Sequence, residues 1–198
     1  MKISLKELEK SKLYSEELGI DLRKNNDKEL FKWFIASILF GARITETIAK
    51  NTYRTLEKHK LLDPKKIINV GWDFLVDPIM REGGYVRYDG KTSTQLIKVC
   101  EFLLEKYGGS LKKLHSKSKN PKDLERRLLE FYGVGPVTVN IFLRELRPFW
   151  KKSDPEILPI VKKIAKKLKI NLNKYNRKTI KFVRIEAGLI RLRRKIKV

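Results

Sequence analysis

A glycine-rich turn between two apolar helical segments contains the residues best suited to bind an anion. Gly133 and Gly135 flank Val134, and Pro136 follows at a position that suits the first turn of a helix. Because glycine has no Cβ, both glycines are expected to take backbone angles that other residues avoid. Amides near Gly133, Gly135 and Val137 would then point outward at a helix N-terminus, which carries partial positive charge. The sequence therefore predicts a phosphate-binding site, with an ordinary helix connection ending in glycine as the alternative.

Two helices must hold this turn in place. Asn120 can cap the first, Pro121 suits its first position, and Asp123 falls in its electropositive first turn. Apolar residues at helical spacing continue on both sides of the turn, at Leu124, Leu128, Leu129, Val139, Phe142, Leu143 and Leu146. Residues 121–147 are therefore predicted to form a helix-hairpin-helix unit.

Nearly the whole chain has the pattern of α-helices, so the predicted fold class is all-α. The most apolar predicted helix covers Lys28–Phe40, with Asp27 as its cap, and should form the centre of a core. The stretch from Gly83 to Gly90 is irregular and has no evident strand partner. Further helices are predicted at Lys6–Leu18, from Thr45 to about Lys60, from Asp63-Pro64 to Gly71, and at Asp73–Arg81, Thr92–Tyr107, Pro155–Leu168 and Arg177–Arg194.

The composition indicates a partner rich in phosphate. The 198 residues include 46 Lys and Arg against 23 Asp and Glu, a net charge of +23, and residues 151–198 alone carry +14. Such a basic tail usually meets a phosphate polymer or an anionic membrane. No apolar run could span a bilayer and no signal peptide is evident, so a cytoplasmic, nucleoid-associated protein is expected. A Lys- and Ile-rich chain with one glutamine, Gln95, is also typical of thermophiles, which is an alternative source of the charge.

Cysteine and histidine are too scarce for a metal site or a disulfide. Cys100 is the only cysteine, and His59 and His115 are the only histidines. This excludes an intramolecular disulfide, a four-cysteine iron–sulfur cluster and a Cys/His zinc site. Cys100 shares a helical face with leucines and is predicted to be a small core residue.

The run Gly133-Val134-Gly135-Pro136-Val137-Thr138, followed by a helix and then Asp154, resembles the helix-hairpin-helix DNA glycosylase superfamily, which includes endonuclease III. Segments Leu39–Glu46 and Tyr88–Lys91 are also similar to family segments, and the resemblance covers about Asp27 to Lys169. It implies two helical lobes that flank a DNA-binding cleft. Residues 28–132 would form a helical barrel lobe, residues 1–27 and 136–198 a second lobe, and residues 121–147 would span the two.

The resemblance also implies an activity. Such a protein flips a damaged or mismatched base out of duplex DNA and hydrolyses its N-glycosidic bond. Asp154 matches the family's catalytic aspartate, whose carboxylate can stabilise positive charge on the sugar. As an alternative, Asp154 followed by Pro155 is also the pattern of a plain helix cap. Val137 occupies the position of the Schiff-base lysine, which implies a monofunctional enzyme. Lys151 or Lys152 could replace that lysine in a bifunctional lyase, with phosphate contact as the alternative role.

Further site residues follow from the same resemblance. The DNA-phosphate contacts are expected at Gly133, Gly135, Val137, Thr138, Arg191, Arg193 and Arg194. Arg43 is expected as the wedge that fills the gap left by the base, with an exposed arginine at a helix junction as the alternative. Tyr88 and Trp150 are expected as residues of the base pocket. No iron–sulfur cluster or other cofactor is expected, with a monovalent cation at the hairpin left open, and the chain is expected to be a monomer. A non-catalytic DNA-binding protein and an RNA- or ribosome-associated basic protein are the alternative functions, and the target base is not predicted.

Overall fold

The computed structural model describes residues 4–193 and residue 196, and the secondary structure within them is entirely helical. The prediction of an all-α protein is confirmed for this part of the chain, and none of its helices is both long enough and apolar enough to cross a membrane. Short turns of 3₁₀ type lie at Leu22–Lys24 and Leu172–Lys174, and a π-helical turn lies at Leu75–Met80. The α-helices are α1 (Leu5–Glu9), α2 (Tyr14–Glu17), α3 (Asp27–Gly41), α4 (Glu46–Lys58), α5 (Pro64–Phe74), α6 (Asp89–Tyr107), α7 (Leu111–Lys117), α8 (Pro121–Leu129), α9 (Pro136–Leu146), α10 (Pro159–Lys167) and α11 (Ile180–Leu192).

Helix α3 is the centre of the hydrophobic core, as its sequence predicts. Ten of its fifteen residues are buried, because α4 and α9 both pack against it. The Trp33 indole N–H donates to the Phe142 carbonyl of α9 at 3.0 Å. The Phe34 ring meets the ring of Phe142 edge-on, with centroids 5.1 Å apart. These contacts fix α9 against the core.

Side-chain caps start three helices where the sequence predicts them. Thr45, Asp63 and Asn120 each accept a hydrogen bond from the backbone N–H three residues later. The cap of α3 is Asn26, so the prediction of Asp27 as its cap is wrong.

Asp27 instead joins α3 to a helix that the sequence pattern did not predict. Its carboxylate accepts hydrogen bonds from the Ser110 hydroxyl at 2.8 Å and from the Lys112 backbone N–H at 2.9 Å. Both groups lie at the start of α7. The aspartate is therefore shared between two helix N-termini.

Helices α5 and α6 pack against each other. Gly71, the predicted end of α5, interrupts that helix with φ +77°. The residues predicted as a helix at Asp73–Arg81 are helical, but they are divided between the end of α5 and the π-helical turn, within which Asp77 has non-helical backbone angles. Cys100 on α6 is fully buried as predicted, and this burial raises the pKa of its thiol.

The first and last helices lie side by side. The segment predicted as one helix at Lys6–Leu18 is divided into α1 and α2, and α1 packs along α11. The close approach depends on Gly188, because a Cβ at this position would collide with the side chains of Ser11 and Leu8. An ion pair between Arg184 of α11 and Glu16 of α2 adds to this contact.

Candidate nucleic-acid interface

The two glycines of the turn between α8 and α9 have different roles. Gly133 has φ +70°, and a Cβ there would lie 2.8 Å from the side-chain nitrogen of Gln95. Gly135 has φ −104° and ψ 176°, an extended conformation open to any residue, so the expectation that it needs special backbone angles is wrong. A Cβ on Gly135 would meet no described atom within 4 Å. Glycine at this position therefore keeps space free in front of α9.

The backbone N–H groups at the start of α9 are unpaired. Within the described residues, no acceptor bonds to the amides of Gly135, Val137 or Thr138. The first amide that is paired is that of Val139, which donates to the Gly135 carbonyl at 3.0 Å. Pro136 has no N–H, and the helix dipole adds partial positive charge at this end. The start of α9 can therefore receive an anion such as a phosphate oxygen.

The side chains around the start of α9 differ in their exposure to solvent. Val137 is 58% exposed. Thr138 is buried beneath the end of α3, where a Cβ on Gly41 would collide with its hydroxyl, so Thr138 can offer only its amide to a ligand. The Lys98 ammonium lies 4.4 Å from the centroid of the exposed Tyr132 ring. Lys98 thus adds a positive charge at the turn that the sequence pattern did not reveal.

A small cavity lies beside the start of α9. Its volume is about 130 Å³, and its apolar walls include Phe40, Ile44, Val137, Ile141 and Leu158. The predicted wedge, Arg43, is exposed in the short connection between α3 and α4, next to Ile44. The structure therefore brings Ile44, next to the predicted wedge residue, and Val137, in the predicted hairpin, to the walls of one cavity.

Asp154 lies in an ion-pair network at the opposite end of α9. Its Oδ1 is 3.3 Å from Nε of Arg147 and 3.0 Å from Nε of Arg177. Arg147 is fully buried and also forms an ion pair with buried Glu186. Both arginines donate to the Pro155 carbonyl at 2.6 Å. Two guanidinium groups therefore neutralise the carboxylate, of which a third is exposed.

Asp154 does not cap a helix, so the alternative of a plain cap is wrong. Helix α10 begins only at Pro159, and its N-terminal cap is Leu158, which forms no side-chain hydrogen bond. At a rise of about 1.5 Å per residue, Val137 and Arg147 are about 15 Å apart along α9. Asp154 pairs with Arg147 at that end, whereas Pro155, the next residue, lines a second cavity together with Pro136 and Val137 at the start of α9. The catalytic role of Asp154 stays a prediction.

Trp150 is packed inside the protein and is only 2% exposed. Its indole N–H donates to Oδ1 of Asn25 at 3.0 Å, and its ring stacks on His115 with centroids 4.4 Å apart. The ring of Phe142 meets it edge-on. No face of the indole is free for an extruded base, which contradicts the prediction of Trp150 as a base-pocket residue.

The other predicted residues outside α9 differ in accessibility. Tyr88 is 52% exposed, with the Arg87 guanidinium 5.1 Å from its ring centroid. Lys151 is exposed, whereas the Lys152 ammonium donates to the His115 carbonyl at 2.9 Å. Tyr88 and Lys151 are therefore available to a ligand, and Lys152 is engaged within the protein.

The C-terminal arginines also differ from one another. Arg191 pairs with Glu17 at 3.0 Å and lies 4.2 Å from the ring centroid of Tyr14, so it holds α11 to α2. Arg193 is exposed at the rim of the cavity and has no partner in the described part of the chain. Arg194 lies outside the described residues.

Arg144 is a further residue of interest that the sequence pattern missed. It is 5% exposed, lines the cavity, and has its guanidinium 5.4 Å from the ring centroid of Tyr14. The available signal was a charge at helical spacing from Val137 and Ile141 on an otherwise apolar face of α9. No group of three His, Cys, Asp or Glu side chains within the described residues could hold a metal ion.

Searches of protein-family models, of curated proteins and of solved structures found no match to this chain. Its function is therefore inferred from its own residues and their geometry.

Proposed function

We propose that this chain is a helix-hairpin-helix protein that binds duplex DNA through its phosphates. The observation that carries the proposal is the start of α9, where the amides of Gly135, Val137 and Thr138 have no acceptor in the described residues. The missing side chain at Gly135 leaves room for a phosphate to approach them. Such contacts position a protein on DNA without reading the bases. The net charge of +23 adds long-range attraction to the polyanion.

The position of the cavity supports the two-lobe arrangement that the resemblance implies. Phe40 and Ile44 belong to the proposed barrel lobe, residues 28–132, whereas Tyr14, Val137 and Leu158 come from both ends of the chain and belong to the proposed second lobe. The cavity would then be the floor of the DNA-binding cleft. In this proposal the hairpin, residues 121–147, holds the backbone, Arg43 enters the duplex, and Tyr88 contacts DNA from the loop before α6.

Excision of a damaged or mismatched base is the second proposed function. The apolar walls of the cavity favour it, because an extruded base needs such a pocket beside the hairpin. Val137 has no nucleophile, so water would attack the sugar. Exposed Lys151 is the remaining amine for a lyase reaction. We favour DNA binding over base excision because Asp154 is paired with two arginines and does not line the cavity.

Binding is tested with a labelled duplex and a structured RNA of equal length, titrated with the chain at several salt concentrations. Duplex binding is expected, with log K falling linearly with log salt by about 0.9 per phosphate neutralised. A clear preference for the RNA would support the RNA-associated alternative. Absence of duplex binding at low salt would contradict the proposal.

Base excision is tested with duplexes that contain uracil, hypoxanthine, alkylated purines, oxoguanine or mispaired thymine. Alkali after incubation would break the strand at each abasic site. Strand breaks that depend on one lesion would establish the second function and name the base. If no duplex in the panel is cleaved, DNA binding remains and base excision is rejected.

A further inference from the structure

Arg144 carries a buried guanidinium that no side chain of the described residues binds directly. No hydrogen bond or ion pair joins its guanidinium to another group in the described part of the chain, and its Nε is buried without a partner. The adjacent carboxylate of Glu145 accepts hydrogen bonds from the backbone N–H groups of Tyr14 and Ser15, each at 3.0 Å. Burial raises the pKa of Glu145, and the charge of Arg144 opposes this rise, so the two neighbours attract each other without a hydrogen bond between them. An unpaired buried charge is costly, so its position calls for a ligand.

The guanidinium of Arg144 faces a space that a ligand could enter. Val137, Ile141 and Arg144 are spaced i, i+4 and i+7, so they follow one face of α9 from the hairpin along the cavity wall. The Tyr14 ring packs against the guanidinium and orients it. Exposed Arg193 stands at the rim of the same cavity. Two arginines from different helical segments therefore converge on about 130 Å³ of space.

Glu46, the carboxylate among the described residues that line the cavity, is neutralised by Lys50. Glu46 accepts a hydrogen bond from the Lys50 ammonium at 2.6 Å, and Lys50 is also 2.6 Å from Glu17. Glu17 in turn pairs with Arg191. Among the residues that line the cavity, the positive charges of Arg144 and Arg193 therefore have no carboxylate partner.

We propose that Arg144 and Arg193 bind a phosphate group in this cavity. The planar guanidinium of arginine can donate to two phosphate oxygens at once. An anion would also compensate the buried positive charge, which a neutral ligand could not do. The phosphate comes either from a DNA strand in the cleft or from a free phosphate ester. The site is separate from the hairpin amides and does not depend on DNA binding, since a free phosphate satisfies the same chemistry.

The test uses Arg144→Met in the full chain, with Arg54→Met as the matched control. Methionine keeps much of the aliphatic stem but removes the charge. Arg54 is exposed on α4, so its variant loses the same charge from a site without a cavity. Without ligand, Arg144→Met is expected to melt at the wild-type temperature or above it, because a buried unpaired charge has been removed.

Melting is then compared in inorganic phosphate and in sodium chloride of equal ionic strength. At a phosphate concentration of about one hundred times Kd, the wild type and Arg54→Met are expected to gain about 5–10 °C, and Arg144→Met to gain nothing. The second arm measures duplex affinity, which should be about tenfold to a hundredfold weaker in Arg144→Met than in Arg54→Met if the phosphate belongs to a strand. A loss in either arm supports the site and identifies the source of the phosphate.

The proposal is overturned if Arg144→Met equals Arg54→Met in both arms. Failure of the DNA-binding function gives a different result. In that case the wild type would bind no duplex, yet phosphate would still raise its melting temperature through Arg144.

Discussion

The two ends of helix α9 differ in whether their polar groups meet oppositely charged groups inside the protein. At the N-terminal end the amides of Gly135, Val137 and Thr138 have no acceptor among the described residues. At the C-terminal end Arg147 is fully buried, donates to Glu186 and to the Pro155 carbonyl, and lies 3.3 Å from Asp154 in an ion pair. Groups already paired inside the protein maintain the fold, whereas unpaired groups at an open surface are free for a ligand. We therefore assign the binding role to the first end and a structural role to the second.

Of the variants predicted here, Arg147→Met should cause the largest loss of stability, and it tests whether the C-terminal end of α9 is structural. It leaves the fully buried carboxylate of Glu186 without its guanidinium partner, which should lower the free energy of unfolding by about 3–5 kcal/mol. Urea denaturation measures the change. Arg144→Met, the same substitution one turn earlier in α9, is the control and should not destabilise. A loss below about 1 kcal/mol for Arg147→Met would show that the network is not essential to the fold.

Gly135→Val probes the binding end. The new side chain meets no described atom of the protein but occupies the approach to the free amides, so affinity for every duplex should fall by about tenfold to a hundredfold. Stability should change by less than about 1 kcal/mol, because valine is a poorer helix cap than glycine but fits the extended backbone. Fluorescence anisotropy at fixed salt measures the affinity. Val137→Ala keeps the backbone amide and is the control, which should bind DNA with wild-type affinity. If folded Gly135→Val also binds with wild-type affinity, the predicted hairpin does not contact DNA.

Asp154→Asn distinguishes a structural aspartate from a catalytic one. The amide removes the charge that pairs with Arg147 and Arg177, so the free energy of unfolding should fall by about 1–2 kcal/mol while DNA affinity stays the same. Denaturation and duplex titration measure the two quantities. If wild type releases a base from any lesion duplex and Asp154→Asn loses that reaction by orders of magnitude, the carboxylate acts in catalysis and the assignment fails.

A smaller effect is expected from pH at the same C-terminal end. Burial, together with the ammonium groups of Lys152 and Lys178, lowers the pKa of His115 to about 4. Between pH 6.5 and pH 4 the unfolded chain binds a proton that the folded protein does not, so this stabilisation is complete above pH 6.5 and is lost as the pH falls. After solvent screening the change should be about 1–2 kcal/mol. His115→Phe keeps a ring against Trp150 and should lose less stability than the wild type between pH 7 and pH 5. If the two proteins lose the same amount, His115 is not the source of the pH dependence.

Local sequence was enough to predict several features of the fold. Thr45, Asp63 and Asn120 each cap a helix through the backbone N–H three residues later, so the residues that decide the outcome are sequence neighbours. Gly133 was predictable for the same reason, because its positive φ belongs to a short turn.

Features decided by distant partners could not be predicted in this way. Trp150 is buried because its indole bonds to Asn25, 125 residues earlier in the chain. Asp154 has the local pattern of a helix cap, yet Arg177 holds its carboxylate elsewhere and α10 begins later. Arg144 is notable only because α9 turns it toward the cavity. Each of these depends on tertiary contacts that local periodicity does not encode.

The contact between α1 and α11 has a consequence for engineering the chain. Gly188 lies against Leu8 and Ser11, and Arg191 bonds to the Lys12 carbonyl, so residues near both termini are neighbours in space. A peptide linker between the two ends would allow new termini to be opened in the irregular stretch before α6, near exposed Val86. Such a circular permutant would make α1 and α2 continuous in sequence with α11, the helix against which they pack.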